Sequence, residues 1–328
     1  MMIMKHTLKI TIILLSLFLI TQFIGLFVSS IYLPKQIVVI NEQTGIGEIQ
    51  NITPELPYGM QPPELKTNIE FWSVIPSIVI SLCIAILLIF LLSKYQWNFL
   101  IKFWFFSVIV LALGIAINSL FIFLGLFQNK ITFFTEIPLS WLISLIISIP
   151  LATFKIYKPK ILIHNLTELL IYPGIASVFI PILNTYTIII LLILISIYDM
   201  WAVWKSGIMQ KMAKYQMNEL KIFGGLLIPY MTKQMRTKLK KLKTKDKKKI
   251  KVSVAILGGG DIVFPIITAG VFLKYLGIVP ALFVIFGSFA GLSFLLWQSE
   301  KKKFYPAMPF ITGGIFIALI IWFLTFVL

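Results

Sequence analysis

The sequence predicts an all-α polytopic membrane protein with nine transmembrane helices, and three observations predict it. Of 328 residues, 59% are hydrophobic and only 12% charged, with a mean hydropathy of +0.97; that is too little charge to cover a soluble protein of this length. Nine apolar runs approach the roughly 20 residues that cross a hydrocarbon core. Basic residues gather on one side of those runs, as cytoplasmic loops require.

The runs are 8–32, 71–93, 99–127, 132–154, 161–182, 185–204, 252–273, 277–297 and 306–328. The first is too long for a signal-peptide core and is followed by no clear small-residue cleavage site, so it reads as a retained span. The fifth is interrupted by Asn165, Glu168 and Pro173, and the sixth is dense in Ile and Leu. With the N-terminus cytoplasmic, 25 of the 29 basic residues fall inside and Lys35, Lys66, Lys130 and Lys274 fall outside. Without the large loop after the sixth run the bias is still ten against four. The expected topology is therefore N-terminus cytoplasmic, C-terminus outside, in a multi-pass protein of the cell membrane.

Three regions follow: residues 1–204 with spans 1–6, a basic cytoplasmic loop at 205–251, and residues 252–328 with spans 7–9. The outer segment 33–70 is rich in Pro, Gly and Asn and is expected to be irregular. The loop 205–251 holds fifteen basic residues. Its end, Lys238 to Lys251, reads as disordered or lying on anionic headgroups, and its middle, Ile222 to Met231, as apolar and interfacial.

Composition also excludes function classes. The net charge of +17 sits in one loop between apolar runs, which points to anionic lipid and topology rather than nucleic acid. The single cysteine, Cys83, rules out an intrachain disulfide and a multi-thiolate metal site. His6 and His164 lie far apart, which argues against a histidine-rich metal centre. No metal and no organic cofactor is implied.

Three acids fall inside spans: Glu168, Asp199 and Asp261. A carboxyl in hydrocarbon costs about 2.5–3.5 kcal/mol on insertion scales, so such groups face the bundle interior or water and mark function. Asp199 lies six residues before Lys205 and Asp261 ten residues after Lys251, roughly 9 and 15 Å from the same face at the helical rise. Unwinding or tilt would bring them level. Two facing carboxyls cannot both ionise cheaply; sharing one proton, they supply an acid and a base for peptide hydrolysis. The run Gly258-Gly259-Gly260 before Asp261 weakens a helix and lets another backbone approach, although such glycines also serve plain helix packing. Tyr305-Pro306-Ala307-Met308-Pro309 opens the ninth span; its prolines leave backbone groups without helical partners, and they also suit an ordinary helix start. Glu168 reads most simply as an interfacial group one turn from His164.

Taken together, Tyr198-Asp199, Gly258-x-Gly260-Asp261 and Pro306-Ala307-Met308 resemble the YD, GxGD and PAL signatures of the presenilin/signal peptide peptidase family, in the same order and with the same span count. The resemblance is strongest over 184–328 and fits a microbial, archaeal member. It implies a presenilin-like fold and an intramembrane aspartyl protease with Asp199 and Asp261 as the catalytic dyad. By the same resemblance, Tyr198, Gly258, Gly259, Gly260, Pro306, Ala307 and Met308 line the site; Met308 stands where Leu is usual. The inferred orientation resembles presenilin and implies single-span membrane protein or peptide substrates with their N-termini outside. Self-cleavage of presenilins in the corresponding loop implies that Ile222 to Met231 occupies the cleft or is cut. Nothing in the sequence calls for accessory subunits, and the oligomeric state stays open, a homo-oligomer included. Rival readings are a prepilin or preflagellin peptidase, which pairs an Asp with GxGD on fewer spans, a proton- or ion-coupled transporter, and a non-catalytic scaffold.

Overall fold

In hydrocarbon every backbone N–H and C=O needs a partner within the protein, so an apolar run of about 20 residues folds as a helix. The computed structural model follows that rule along most of the chain. It describes residues 8–40, 47–52, 54–60, 68–132, 136–158, 160–206, 224–230, 253–299 and 305–328. The described helices are α1 (Leu8–Tyr32), α2 (Asn68–Lys94), α3 (Asn98–Leu124), α4 (Leu139–Tyr157), α5 (Ile161–Phe179), α6 (Thr185–Trp201), α7 (Gly259–Leu276), α8 (Ile278–Gln298) and α9 (Met308–Phe326). Among the described residues, eight of these, all but α2, are long and apolar enough throughout to cross a membrane.

Short strands occupy places where helix was expected, or no regular structure at all. The outer segment holds an antiparallel ribbon, β1 (Lys35–Ile40) with β2 (Gly47–Ile52), in register from Lys35 opposite Ile52 to Ile40 opposite Gly47. The irregular segment expected over 33–70 is corrected to that extent: Ile37 to Ile40 form a β-branched run that favours strand. The fourth span starts at Leu139, not 132, because Lys130–Thr132 (β3) pair with Glu136–Pro138 (β4). Lys130 Nζ and the Glu136 carboxylate are 2.9 Å apart; the pair holds the lysine above and the glutamate below their ordinary pKa values. Both are exposed, so the bond adds little to stability.

The seventh span is corrected most. Residues 253–258 are strand β6, paired antiparallel with β5 (Gly225–Tyr230) from Gly225 opposite Gly258 to Tyr230 opposite Ser253. The helix α7 begins only at Gly259. The central part of the apolar stretch 222–231 is therefore a strand packed on α1, α5 and α7; residues 222, 223 and 231 and the lysine-rich end of the loop lie outside the described residues.

The helices pack about α1 and α5. Phe18 and Leu14 of α1 meet Ile180, Ile188 of α6, Ile262 and Ile266 of α7, and Ile311 of α9 in one buried cluster, which also takes in Leu226 of β5 and Leu257 of β6. A second cluster joins α3, α4 and α5 through Leu113, Ala152 and Ile171. Water does not drive helices together in lipid, so close backbone approach carries the packing. At the α8–α9 crossing Gly287 faces Gly314, and a β-carbon on either would overlap the other's carbonyl. Polar side chains add fixed links: Asn118 Nδ2 donates to Tyr32 Oη (3.0 Å), which donates to the Ile115 carbonyl (2.8 Å).

Because the α8–α9 contact has no room for a side chain, Gly314→Leu is expected to destabilise the folded protein by about 1–3 kcal/mol through overpacking. The check is thermal unfolding in detergent, where the variant melts below the parent.

Candidate active site

Asp261 owes its position to the strand-to-helix switch. Gly258 is the N-cap of α7, with extended φ/ψ of −63° and 146°. Gly259, Gly260 and Asp261 then form the first turn, which puts Asp261 at the third helical position. A carboxylate there reaches back to the N-cap amide, as in one half of a capping box, and the Gly258 N–H does bond the Asp261 carboxylate. The positive end of the α7 dipole points at the same group.

The glycines have separate reasons. A β-carbon on Gly259 would sit 2.8 Å from the ring and hydroxyl of Tyr172. Tyr172 is buried on α5, so the α7 start and α5 approach at a distance only glycine allows. Gly260 is open, with Phe264 at 3.9 Å from the same construction, and is exposed beside Asp261. Just past the aspartate, Gln22 of α1 reaches across and donates through Nε2 to the Ile262 carbonyl (3.0 Å).

Asp199 lies in the last turn of α6 and is 7% exposed. The chain then widens into a π-turn over Ala202–Ser206; such bulges are frequent at functional sites. The Asp199 carboxylate does not cap its own helix. Its Oδ2 accepts the Met308 N–H at 3.1 Å, and the Ala307 amide also bonds it. These are orphan donors of the α9 N-terminus, which has no side-chain cap of its own. Pro309, at the second helical position, brings no N–H to satisfy. One helical turn further into the α6–α9 contact, Ser196 Oγ donates to Thr312 Oγ1 (2.9 Å) and fixes the two helices in register.

The two carboxyls are held for the same reason: each faces the N-terminus of a helix, Asp261 that of α7 and Asp199 that of α9. The helix that carries Asp199, α6, packs against both α9 and α7. The exposed Gly260 adjoins Asp261, and the Pro306–Met308 segment, of which Pro306 and Met308 are buried, adjoins Asp199. Tyr198 lies elsewhere on α6: it is 44% exposed and its ring stands 6.2 Å from that of Trp201.

Behind this site is a polar group that the sequence did not assemble. His164, Glu168 and Tyr172 recur at four-residue spacing along α5 and are all buried. Lys155, from the end of α4, forms an ion pair with Glu168 and is itself buried. Glu168 is thus 1% exposed, and its carboxylate also lies 3.5 Å from Nε2 of His164, one turn earlier. The signal was present as a period-four polar stripe on an otherwise apolar span.

Comparisons with known proteins bear on the whole chain. A family-level sequence model described as "Signal-peptide peptidase, presenilin aspartyl protease" matches residues 56–328. Two solved structures of presenilin-family intramembrane aspartate proteases share the fold. One, in a C222 crystal form, has a TM-score of 0.58 at 16% identity and covers 95% of this chain and 97% of its own. The other, in a P2 form, has a TM-score of 0.53 at 17% identity and covers 94% and 95%. No curated protein matches.

The Gly259–Tyr172 contact makes a test of the site's packing. Gly259→Val is expected to lower the thermal midpoint, and Tyr172→Ala, destabilising alone, to cost less in the Gly259→Val background. A double-mutant cycle in detergent reads this as a coupling of about 0.5–3 kcal/mol; additive effects would contradict the contact.

Proposed function

The chain belongs to the signal-peptide peptidase, presenilin aspartyl protease family, and we propose that Asp199 and Asp261 are the two carboxyls with which it hydrolyses peptide bonds. It is an intramembrane aspartyl protease. The observation that carries the assignment is the convergence of two membrane-embedded carboxyls from different helices, each held by the amides of a helix N-terminus.

The chemistry follows from that arrangement. Two neighbouring carboxyls share one proton, because their like charges oppose double ionisation. The ionised member takes a proton from a water, which attacks the scissile carbonyl; the protonated member polarises that carbonyl and then supplies the leaving amine. The pair titrates as a unit. The amides of Met308, Ala307 and Gly258 hold the carboxylates in place without themselves exchanging protons. No step calls for a metal or an organic cofactor.

A peptide bond inside an intact helix is shielded, so the substrate must be extended at the cut. The β5–β6 register supports a place for it. Both the N–H and the C=O of Leu227 are bonded to a side chain of α5, so Leu227 and its odd-numbered neighbours turn away from β6. Leu226 and Ile228 then make the ladder bonds, to Leu257 and Ala255. Val254, Ile256 and Gly258 consequently turn their backbone groups to the far side of β6, the side on which Asp261 bonds the Gly258 amide. An extended substrate adds there as a further strand, bonded through its main chain, and is led directly to the carboxyls. Val254 and Ile256 are 42% and 41% exposed, which leaves their face open.

On this reading the substrates are single-span membrane proteins or peptides, oriented N-terminus outside if the N-terminus of the enzyme is cytoplasmic, as the lysine distribution supports. The fifteen basic residues of 205–251 favour anionic lipid as a partner. A transporter would also hide acids in the membrane, but it has no use for a strand edge beside them.

Three outcomes are expected with purified protein and a transmembrane peptide in detergent. Asp199→Asn and Asp261→Asn each abolish cleavage with the helical content unchanged, and the parent shows a bell-shaped pH–rate profile; cleavage by either variant would remove the dyad. Met308→Pro, which deletes the amide on Asp199, lowers kcat by roughly 10–100-fold, the equivalent of about 1.5–3 kcal/mol for a hydrogen bond to a charged group. Ile256→Pro, which removes an N–H turned away from β5, lowers kcat/KM while leaving the β5–β6 ribbon protected from hydrogen exchange.

A further inference from the structure

The far edge of β5 is closed by side chains. Asn165 of α5 donates from Nδ2 to the Leu227 carbonyl (2.8 Å) and accepts the Leu227 N–H at Oδ1 (2.9 Å). That is the pair of bonds a neighbouring strand would make, supplied by one carboxamide. His164, one residue earlier, bonds the Gly225 carbonyl through Nε2 (2.8 Å). Bonding to a carbonyl requires the proton on Nε2, and the other ring nitrogen, Nδ1, lies 3.4 Å from Lys155 Nζ, a donor. Lys155 is in turn held by Glu168. The third outward position of β5 is Pro229, which has no N–H to satisfy. Proline on that edge costs no ladder bond.

We infer that Asn165, backed by His164, is a positioning residue: a clamp that occupies the outer edge of β5, fixes the β5–β6 ribbon against α5, and leaves the β6 edge beside Asp261 for the substrate. The inference rests on the reading that an extended substrate pairs with β6.

The ribbon has two edges, and a peptide could add to either. Addition to β5 would place the peptide on the opposite edge of the ribbon, three strand spacings from its position on β6, since neighbouring strands lie about 4.8 Å apart. Cleavage there would be unproductive. The clamp removes this choice and does so at the residues, Gly225 and Leu227, that face Gly258 and Ile256 across the ribbon. Any slip of β5 along β6 would break both Asn165 bonds at once, so the clamp also sets the register of the strand that leads into Asp261. The polar groups Asn165 and His164 of the fifth span, costly in lipid, are thereby accounted for: they hold backbone, not ligand.

The test uses the full chain in detergent with a transmembrane peptide, and compares Asn165→Leu, Asn165→Gln, His164→Leu and His164→Gln. Hydrogen exchange over 225–230 is read without substrate. Cut positions are read by mass spectrometry, alongside kcat and KM. Asn165→Leu is expected to speed exchange of the Leu227 amide and to lower kcat/KM by about tenfold, and to spread cleavage to neighbouring bonds. Gln, which keeps the carboxamide, restores a single main cut site at position 165, and His164→Gln outperforms His164→Leu for the same reason. Wild-type exchange and a wild-type cut pattern in Asn165→Leu would overturn the clamp, as would equal loss in the Leu and Gln variants. Should Asn165→Leu fail to fold, the His164 pair decides by the same readouts. Exchange is measured in Asp261→Asn as well, so failure of the dyad would show as residual cleavage with the clamp's protection intact.

Discussion

Charge and unpaired backbone cannot be left in hydrocarbon without a partner, and the site is built from the few places where a helical membrane protein has partners to spare. Those places are helix N-termini, with their orphan amides and the positive end of the helix dipole. Asp261 uses the start of its own helix, α7. Asp199, in the last turn of α6 where the dipole is unfavourable to it, borrows the start of α9. Once both carboxyls need a helix start, the ends of α6, α7 and α9 have to meet, and the rest of the local structure follows: the prolines that begin α9 sharply, the strand that ends just before α7, and the Ser196–Thr312 bond that fixes α6 on α9.

A β-ribbon that ends where α7 begins is the second consequence. Open sheet edges are not tolerated against lipid, so each edge of β5–β6 needs an occupant. Asn165 and His164 occupy one. The other faces the carboxyls. Its backbone groups are aligned for a partner that is extended, and extension is the form a peptide must take to be cut. A ribbon capped on both edges would be more stable and would have no place for a substrate.

Much of this was legible in the sequence, for physical reasons that differ from element to element. The long Ile- and Leu-rich runs could be read as helices because lipid permits little else, and the acids stood out because their cost is high. The ribbon was not legible. In Leu226-Leu227-Ile228 and Val254-Ala255-Ile256-Leu257 every residue is apolar, so the period of two that marks a half-buried strand is absent from the sequence, although the ribbon buries one face (Leu226, Ile228, Ala255 and Leu257) and exposes Val254 and Ile256 on the other. Only Gly258-Gly259-Gly260 hinted that a helix could not run through. The group Lys155, His164, Asn165 and Glu168 was visible residue by residue but not as a group, because the backbone that His164 and Asn165 bond lies 61 and 62 residues further on, and backbone has no signature in a sequence.

Lys155 shows how the two levels of reading constrain each other. In sequence it counts as one of the basic residues on the cytoplasmic side; in the structure it is buried and paired with Glu168. Setting it aside changes the bias outside the large loop from ten against four to nine against four, so the topology argument does not depend on it. The reverse holds for Glu168. Its cost in the membrane could be accepted only with a cation beside it, and the cation it takes is not Lys160, the nearest along the chain, but Lys155 in the last turn of α4. A buried pair of this kind adds little stability over an apolar pair of the same volume. What it adds is a fixed donor beside His164 Nδ1, and hence a fixed Nε2 proton for the Gly225 carbonyl. The ion pair is best understood as part of the apparatus that holds β5, the strand whose partner β6 leads into the helix of Asp261.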